Sequence, residues 1–235
     1  MEYKVKLLKI FHDSERIKTF RFEKPKGFLF SSGQFVMLST PKVKNNERKI
    51  PLKRAYSIAS APSKPYLEFC IAIGTKKGFS SYLHESAKKG DVFYLEGPFG
   101  EFTLKLPLRK ETIFIAGGAG IAPIRSMLHS LSGKDFSQKI WLLFGIRNPE
   151  EFLYRKELES FCSRKNFNLI AAVSDYEGKD WKGECGFVCD VVAKHIKNGK
   201  NKELYMCGPP IMVETTLKKA KQINFSGESI HHERW

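Results

Sequence analysis

Cysteine is sparse in this sequence and badly spaced for metal chemistry. Cys70, Cys162, Cys185, Cys189 and Cys207 are scattered over 235 residues, and none follows the C-x4-C-x2-C or C-x2-C-x2-C spacing of an iron–sulfur cluster. No metal site is expected, and any iron–sulfur centre must come from a partner. The same scatter argues for reduced thiols in a cytoplasmic protein, with Cys185 and Cys189 able to face one another as C-x3-C on a helix. Long apolar runs are missing as well. Nothing approaches the roughly 20 residues that span a bilayer, and the start, Met1-Glu2-Tyr3-Lys4-Val5-Lys6, alternates like a strand and lacks a signal peptide's apolar region. Acidic residues are few: 25 Asp and Glu against 40 Lys and Arg leave a net charge of +15. That balance favours acidic partners through electrostatic steering. Nucleic acid is excluded as a leading partner, because the basic residues fall in dispersed pairs such as Lys76-Lys77, Lys88-Lys89 and Lys218-Lys219 and no nucleic-acid-binding signature accompanies them. A lysine-rich solvated surface accounts for the charge equally well.

What is present organises into two halves. With 42% hydrophobic residues the chain can bury a substantial core. Short strands separated by turns are expected at Tyr3–Phe11, Ile17–Glu23, Gln34–Ser39, Arg54–Ala59, Leu67–Ile73 and Val92–Glu96, with one helix over Gly78–Ser86 and an exposed loop over Pro41–Lys49. This rhythm predicts an antiparallel β-barrel over residues 1–106. After Leu106 buried strands alternate with amphipathic helices: strands at Thr112–Ala116, Ile140–Phe144, Asn168–Val173 and Glu203–Cys207, helices at Ile121–Leu131, near Glu150–Cys162, near Phe187–Ile196 and over Pro210–Gln222. Residues 107–235 are therefore expected to form a parallel α/β sheet domain.

Four motifs carry the chemistry. In Arg54-Ala55-Tyr56-Ser57, residues two apart share a strand face, so Arg54 and Tyr56 can offer one ligand a charge and a flat ring. Gly97-Pro98-Phe99-Gly100 is a turn. Gly117-Gly118-Ala119-Gly120, followed by Pro123, is a tight turn between strand and helix that lets backbone approach a pyrophosphate. Cys207-Gly208-Pro209-Pro210 closes the last strand. Together, and in this order, they resemble the ferredoxin–NADP reductase superfamily, which includes cytochrome b5 reductases and the reductase components of bacterial oxygenases.

The resemblance implies an FAD-binding barrel domain and an NAD(P)-binding α/β domain. It implies that Arg54 holds the flavin phosphate, Tyr56 stacks on the isoalloxazine, Ser57 bonds near N5, Ile71 and Ile73 lie on the strand that meets the flavin chain through backbone, and Gly78, Ser80 and Ser81 form a second phosphate element. Two phosphate elements favour FAD over FMN. On the nicotinamide side it implies Gly117, Gly118, Gly120 and Pro123 at the pyrophosphate, and Cys207, Gly208 and Pro209 beside the nicotinamide. Glu233 is a proton relay and Trp235 a cover for the flavin, or the two are a packed or frayed tail. Ala119 departs from the family's usual threonine. Ser174-Asp175, where relatives specific for a 2′-phosphate carry Ser-Arg, points to NADH, with NADPH possible through Arg147. The implied reaction is hydride transfer from NAD(P)H to FAD, then electrons one at a time to a separate iron–sulfur protein such as a ferredoxin or an oxygenase component. Reduction of free flavin, quinone or a cytochrome is the enzymatic alternative, and a dinucleotide-binding electron-transfer subunit the non-enzymatic one.

Overall fold

The computed structural model describes residues 2–41, 52–74, 78–132, 134, 137–178 and 180–234. The loop expected over Pro41–Lys49 lies outside them beyond Pro41, as do Lys76, Lys77 and Trp235. Contacts divide the chain into two compact units, one of Met1–Leu104 with Arg125–Leu131, the other of Lys105–Ile124 with Ser132–Trp235.

The first unit contains β1 (Glu2–His12), β2 (Ile17–Glu23), β3 (Phe35–Ser39), β4 (Lys53–Ser57), β5 (Tyr66–Ala72), α1 (Phe79–Glu85) and β6 (Val92–Phe99). The strands pair antiparallel in the order β4-β3-β6-β1-β2-β5. The two ends of that order meet where the Ala59 N–H donates to the Glu68 carbonyl at 2.8 Å, which closes the sheet into a barrel. Alternation drives this. On β2, Phe20 and Phe22 are fully buried in the barrel core, while Thr19 and Arg21 between and beside them occupy the other face. Phe22 meets Phe69 and Phe93 with ring centroids 5.6 and 5.3 Å apart, and each such phenyl withdrawn from water contributes about 2–3 kcal/mol. Phe79 and Leu83 of α1 join the same core.

A buried carboxyl sits in the turn between β1 and β2. Asp13 Oδ2 is buried without a hydrogen-bond partner among the described residues. Burial raises its pKa from the ordinary 3.8, against the lowering effect of Thr19 and the Arg125 charge. A raised carboxyl pKa means the fold favours the proton, so that this contribution to stability is full in acid and is lost as pH rises through the folded value. Asp13→Asn is therefore expected to melt above the parent at neutral pH, with the gap closing in acid. Melts that stay parallel at every pH would refute it.

The second unit contains β7 (Glu111–Gly117), the first four residues of α2 (Ile121–Leu131), whose residues Arg125–Leu131 belong to the first unit, β8 (Ile140–Ile146), α3 (Arg155–Ser160), β9 (Phe167–Val173), β10 (Glu184–Cys185), α4 (Val188–His195), β11 (Lys202–Gly208), α5 (Pro210–Gln222) and β12 (Ile230–Arg234). All its strands run parallel, in the order β10-β9-β8-β7-β11-β12. Its core gathers Ile113, Ile115, Leu143, Leu204 and Met206 from strands with Val188, Val191, Val192 and Val213 from helices. The near-continuous apolar run of β7 fits a strand covered on both faces. Among the described residues no helix is long and apolar enough to cross a membrane.

Three sequence expectations are corrected here. Residues 150–162 are not one helix: a 3-10 turn at Pro149–Glu151 and another at Phe161–Ser163 flank the short α3. Tyr154 at φ 54°, in the left-handed region, breaks the run. Cys185 and Cys189 do not share a helix, because Cys185 ends β10 and Gly186 turns the chain at φ 105° before α4. The tail up to Arg234 is not frayed; it pairs with β11 as β12.

Candidate functional site

β4 brings the first motif to the end of the barrel's strand order. Its register sets Arg54 opposite Leu38 and Tyr56 opposite Val36, so both side chains lie on the strand face shared with the core, and Ser57 on the alternate face. Arg54 is exposed, with Nη1 donating to the Lys53 carbonyl at 2.9 Å. The Tyr56 ring lies half-buried against the core, 5.9 Å from Phe79 with 32° between planes. Burial pushes its hydroxyl pKa well up, while the Arg54 charge pulls the other way. A neutral phenol ring beside a solvent-facing guanidinium fits a flat cofactor carrying a phosphate. Arg54→Ala is accordingly expected to weaken FAD binding about tenfold to hundredfold, the worth of a charge-assisted phosphate contact of roughly 1.5–3 kcal/mol. Unchanged affinity in a fluorescence titration would remove Arg54 from the site.

The second phosphate element is built from backbone. Gly78 is the N-cap residue of α1 and has no side chain to cap with, so the first-turn amides lack intrahelical acceptors. The neighbouring hydroxyls are occupied inside the unit. Ser80 Oγ accepts the Gly74 N–H at 3.0 Å, and Ser81 is 4% exposed. Ile71 points into the core and its carbonyl accepts from His84 Nε2 at 2.9 Å. The Ile73 N–H donates to the Arg16 carbonyl at 2.8 Å. Backbone amides at Gly78 to Ser81 are thus the donors best suited to an anion here.

In the second unit the glycine turn and the Cys-Gly-Pro-Pro segment face each other. Gly117 ends β7, and residues Gly118–Gly120 form a 3-10 turn leading into α2. Gly118 has φ 52° and a Cβ there would meet nothing within 4 Å, whereas a Cβ on Gly120 would lie 2.3 Å from the Cys207 carbonyl oxygen. One glycine leaves open space above the turn, and the other lets the turn press onto β11. Open backbone at a strand-to-helix turn is what a pyrophosphate needs. Pro123 is buried as the third residue of α2, in the first turn, where a missing N–H costs little. Met212 of α5 closes over Gly117 and Gly208, with Pro209 as the residue before that helix.

Cys207 is 1% exposed. Burial drives its thiol pKa far up and the Glu233 charge adds to the rise; β11 and β12 place the two side by side in register. The group is a neutral thiol, unsuited to nucleophilic attack. Further along the sheet edge, Ser174 and Asp175 are exposed just after β9. The Ser174 N–H donates to the Ile146 carbonyl at 3.0 Å and the Asp175 N–H to the Arg147 carbonyl at 2.8 Å, so that Asp175 and the exposed Arg147 leave adjacent strand ends.

Sequence reasoning missed Met212, and also Glu68 and Arg125. Glu68 interrupts the apolar run Leu67–Ile71 and is 3% exposed. A charge inside such a run was the available signal.

A closed antiparallel barrel with an arginine and tyrosine on its end strand, together with a parallel sheet bearing an open glycine turn, defines a flavin and nicotinamide dinucleotide oxidoreductase. The family model for the oxidoreductase FAD-binding domain matches residues 4–104, and that for the oxidoreductase NAD-binding domain matches residues 114–218. The chain belongs to the ferredoxin–NAD(P) reductase superfamily and carries both its cofactor-binding domains. Among curated relatives, the phenol hydroxylase P5 protein of Acinetobacter pittii is 31% identical over all of this chain and 65% of its own length. A subunit of the Na(+)-translocating NADH-quinone reductase of Neisseria meningitidis is 36% identical over 77% of this chain and 48% of its own length. The reductase component of propane 2-monooxygenase from Rhodococcus jostii is 32% identical over 83% and 52%. The chain thus spans about half to two thirds of the length of these relatives. Of solved structures, a ferredoxin NADP+ reductase from Neisseria gonorrhoeae with bound FAD and NADP shares the fold, with a TM-score of 0.82, 23% identity and coverage of 99% of this chain and 98% of that one. The Amycolatopsis cytochrome P450 reductase GcoB shares it with a TM-score of 0.88 at 22% identity, over 100% of this chain and 69% of that one.

Proposed function

We propose that the protein oxidises NADH and delivers the electrons, through bound FAD, to a separate acidic electron-transfer protein of the iron–sulfur or oxygenase-component class. The observation that carries this is the succession of an FAD-binding and an NAD-binding domain in one chain. When bound, the flavin supplies the step between a two-electron donor and one-electron acceptors. The protein's own residues bind and orient. Arg54 and the amides at the start of α1 hold phosphates, Tyr56 presents a ring face, and Ser57 is the proposed hydrogen-bonding partner of the reacting ring edge. Gly117, Gly118 and Gly120 admit the second pyrophosphate. Cys207, Gly208 and Pro209 shape the wall on which the nicotinamide rests, and Glu233, in register with Cys207, is the proposed proton relay there. The proposed role of Trp235 concerns a residue outside those described. The net charge of +15 supports an acidic partner.

Quinone reduction is the second reading, favoured by the 36% identity to a component of an NADH-quinone reductase. Anaerobic titration with NADH should bleach the flavin bands of the yellow protein. The reduced protein should then reduce an acidic ferredoxin faster at low than at high salt, because steering is screened. Rapid quinone reduction with a ferredoxin rate indifferent to salt would favour the second reading, and a protein that takes up no flavin would overturn both.

A further inference from the structure

The residues that follow the Arg54–Ser57 strand are held by side chains from α2, within the first unit. Arg125 Nη1 donates to the Ala59 carbonyl at 3.1 Å and to Glu68 Oε2 at 2.8 Å. Ser126 Oγ donates to the Ser60 carbonyl at 2.7 Å. Glu68 is tied in turn: Arg21 Nε and Nη2 reach its Oε1 at 2.9 and 2.7 Å, and its own N–H donates to Ser60 Oγ at 3.2 Å. Ala59, Ser60 and Ser126 are 0–1% exposed, Glu68 3% and Arg125 9%. A carboxylate is stable at such depth only when its charge is paired and its lone pairs are bonded. Two arginines do both, and one of them also grips backbone.

That grip bears on the flavin seat. β4 pairs along one side with β3, and just beyond Ser57 the chain is held by the Ala59–Glu68 backbone bond and the side-chain ties to Ala59 and Ser60. Tyr56 and Ser57 sit within four residues of those anchored carbonyls. We propose that Arg125, assisted by Ser126, is a positioning residue for FAD: it fixes the exit of β4 and thereby the ring of Tyr56 and the hydroxyl of Ser57. The inference rests on the FAD-binding reading of β4. In sequence Arg125 belongs to the stretch matched by the NAD-binding model, residues 114–218, yet it packs with the first unit. Residues 1–106 alone therefore lack part of their own flavin support.

The test uses the full-length chain, stripped of FAD and titrated with it, read by flavin fluorescence, by the visible circular dichroism of the bound flavin and by far-ultraviolet melts. Arg125→Met is expected to weaken FAD about tenfold, the worth of a charge-assisted bond, and to change the flavin dichroism at temperatures where the backbone signal equals the parent's. Because one nitrogen makes both contacts, Arg125→Lys is expected to restore affinity and dichroism. Ser126→Ala should shift both in the direction of Arg125→Met by less. Should Arg125→Met not fold, the Glu68→Gln, Arg125→Met double variant, which leaves no carboxylate unpaired, carries the same expectation. Variants with lowered melting temperature but parental FAD affinity and dichroism would reduce Arg125 to a packing role and overturn the inference. A parent that binds no FAD would instead overturn the reading on which it rests.

Discussion

Gly120→Ala is expected to destabilise the second unit by about 3 kcal/mol, the upper range for overpacking, and to slow NADH-driven flavin reduction by about a hundredfold or more. FAD, anchored in the first unit, should stay bound. The added Cβ would lie 2.3 Å from the Cys207 carbonyl oxygen, 2.6 Å from its carbon and 2.8 Å from the Gly208 Cα. All three are backbone atoms of a strand paired with β7 and β12, so no side chain can swing away. The turn must lift off β11, moving the amides proposed to meet the pyrophosphate. Gly118→Ala is the comparison for stability alone. Its methyl enters the open space proposed for the pyrophosphate, so it too should slow NADH use, but its cost to folding is the left-handed strain at φ 52°, about 1–2 kcal/mol. Stopped-flow bleaching and thermal melts compare the two, and a Gly120→Ala protein that melts and reacts like the parent would mean that the close approach has no consequence.

Local pattern carried the sequence reading where local pattern decides structure. The strand at Ile17–Glu23 and the helices at Ile121–Leu131 and Pro210–Gln222 have the observed bounds, because Phe20 and Phe22 alternate with polar neighbours and prolines mark the two helix starts. The glycine turn and the Arg54–Ser57 strand were legible for the same reason, since glycine and arginine chemistry is visible residue by residue. Features set by distant partners were not. The amphipathic spacing over 150–162 mimics a helix, but Tyr154 takes a left-handed conformation that no propensity signals. Ile230–Arg234 is too polar to read as a strand and becomes one because β11 offers an unpaired edge. The Arg125 contacts join residues 57 and 66 positions apart, and nothing in the spacing of either motif announces them.

A preference for NADH is proposed from the residues that follow β9. Family members specific for a 2′-phosphate tend to carry arginine after the serine that ends this strand, whereas here Asp175 follows Ser174. Both are exposed, and the Asp175 N–H is bonded to the carbonyl of Arg147, so the two charged residues leave adjacent strand ends. Two like charges about 5 Å apart at an effective dielectric constant near 20 repel by about 3 kcal/mol, and solvent screening leaves roughly 1–2 of it. Ribose hydroxyls, by contrast, find in the carboxylate a ready acceptor. The parent should therefore favour NADH over NADPH by about tenfold in kcat/KM. Asp175→Asn should narrow the gap chiefly by improving NADPH, and added salt should narrow it in the parent but not in the variant. Arg147→Ala should hurt NADPH more than NADH, since its charge offsets the carboxylate at that rim. Steady-state kinetics with both cofactors decides it: a parent with the higher kcat/KM for NADPH would make Arg147 the phosphate ligand and Asp175 a bystander.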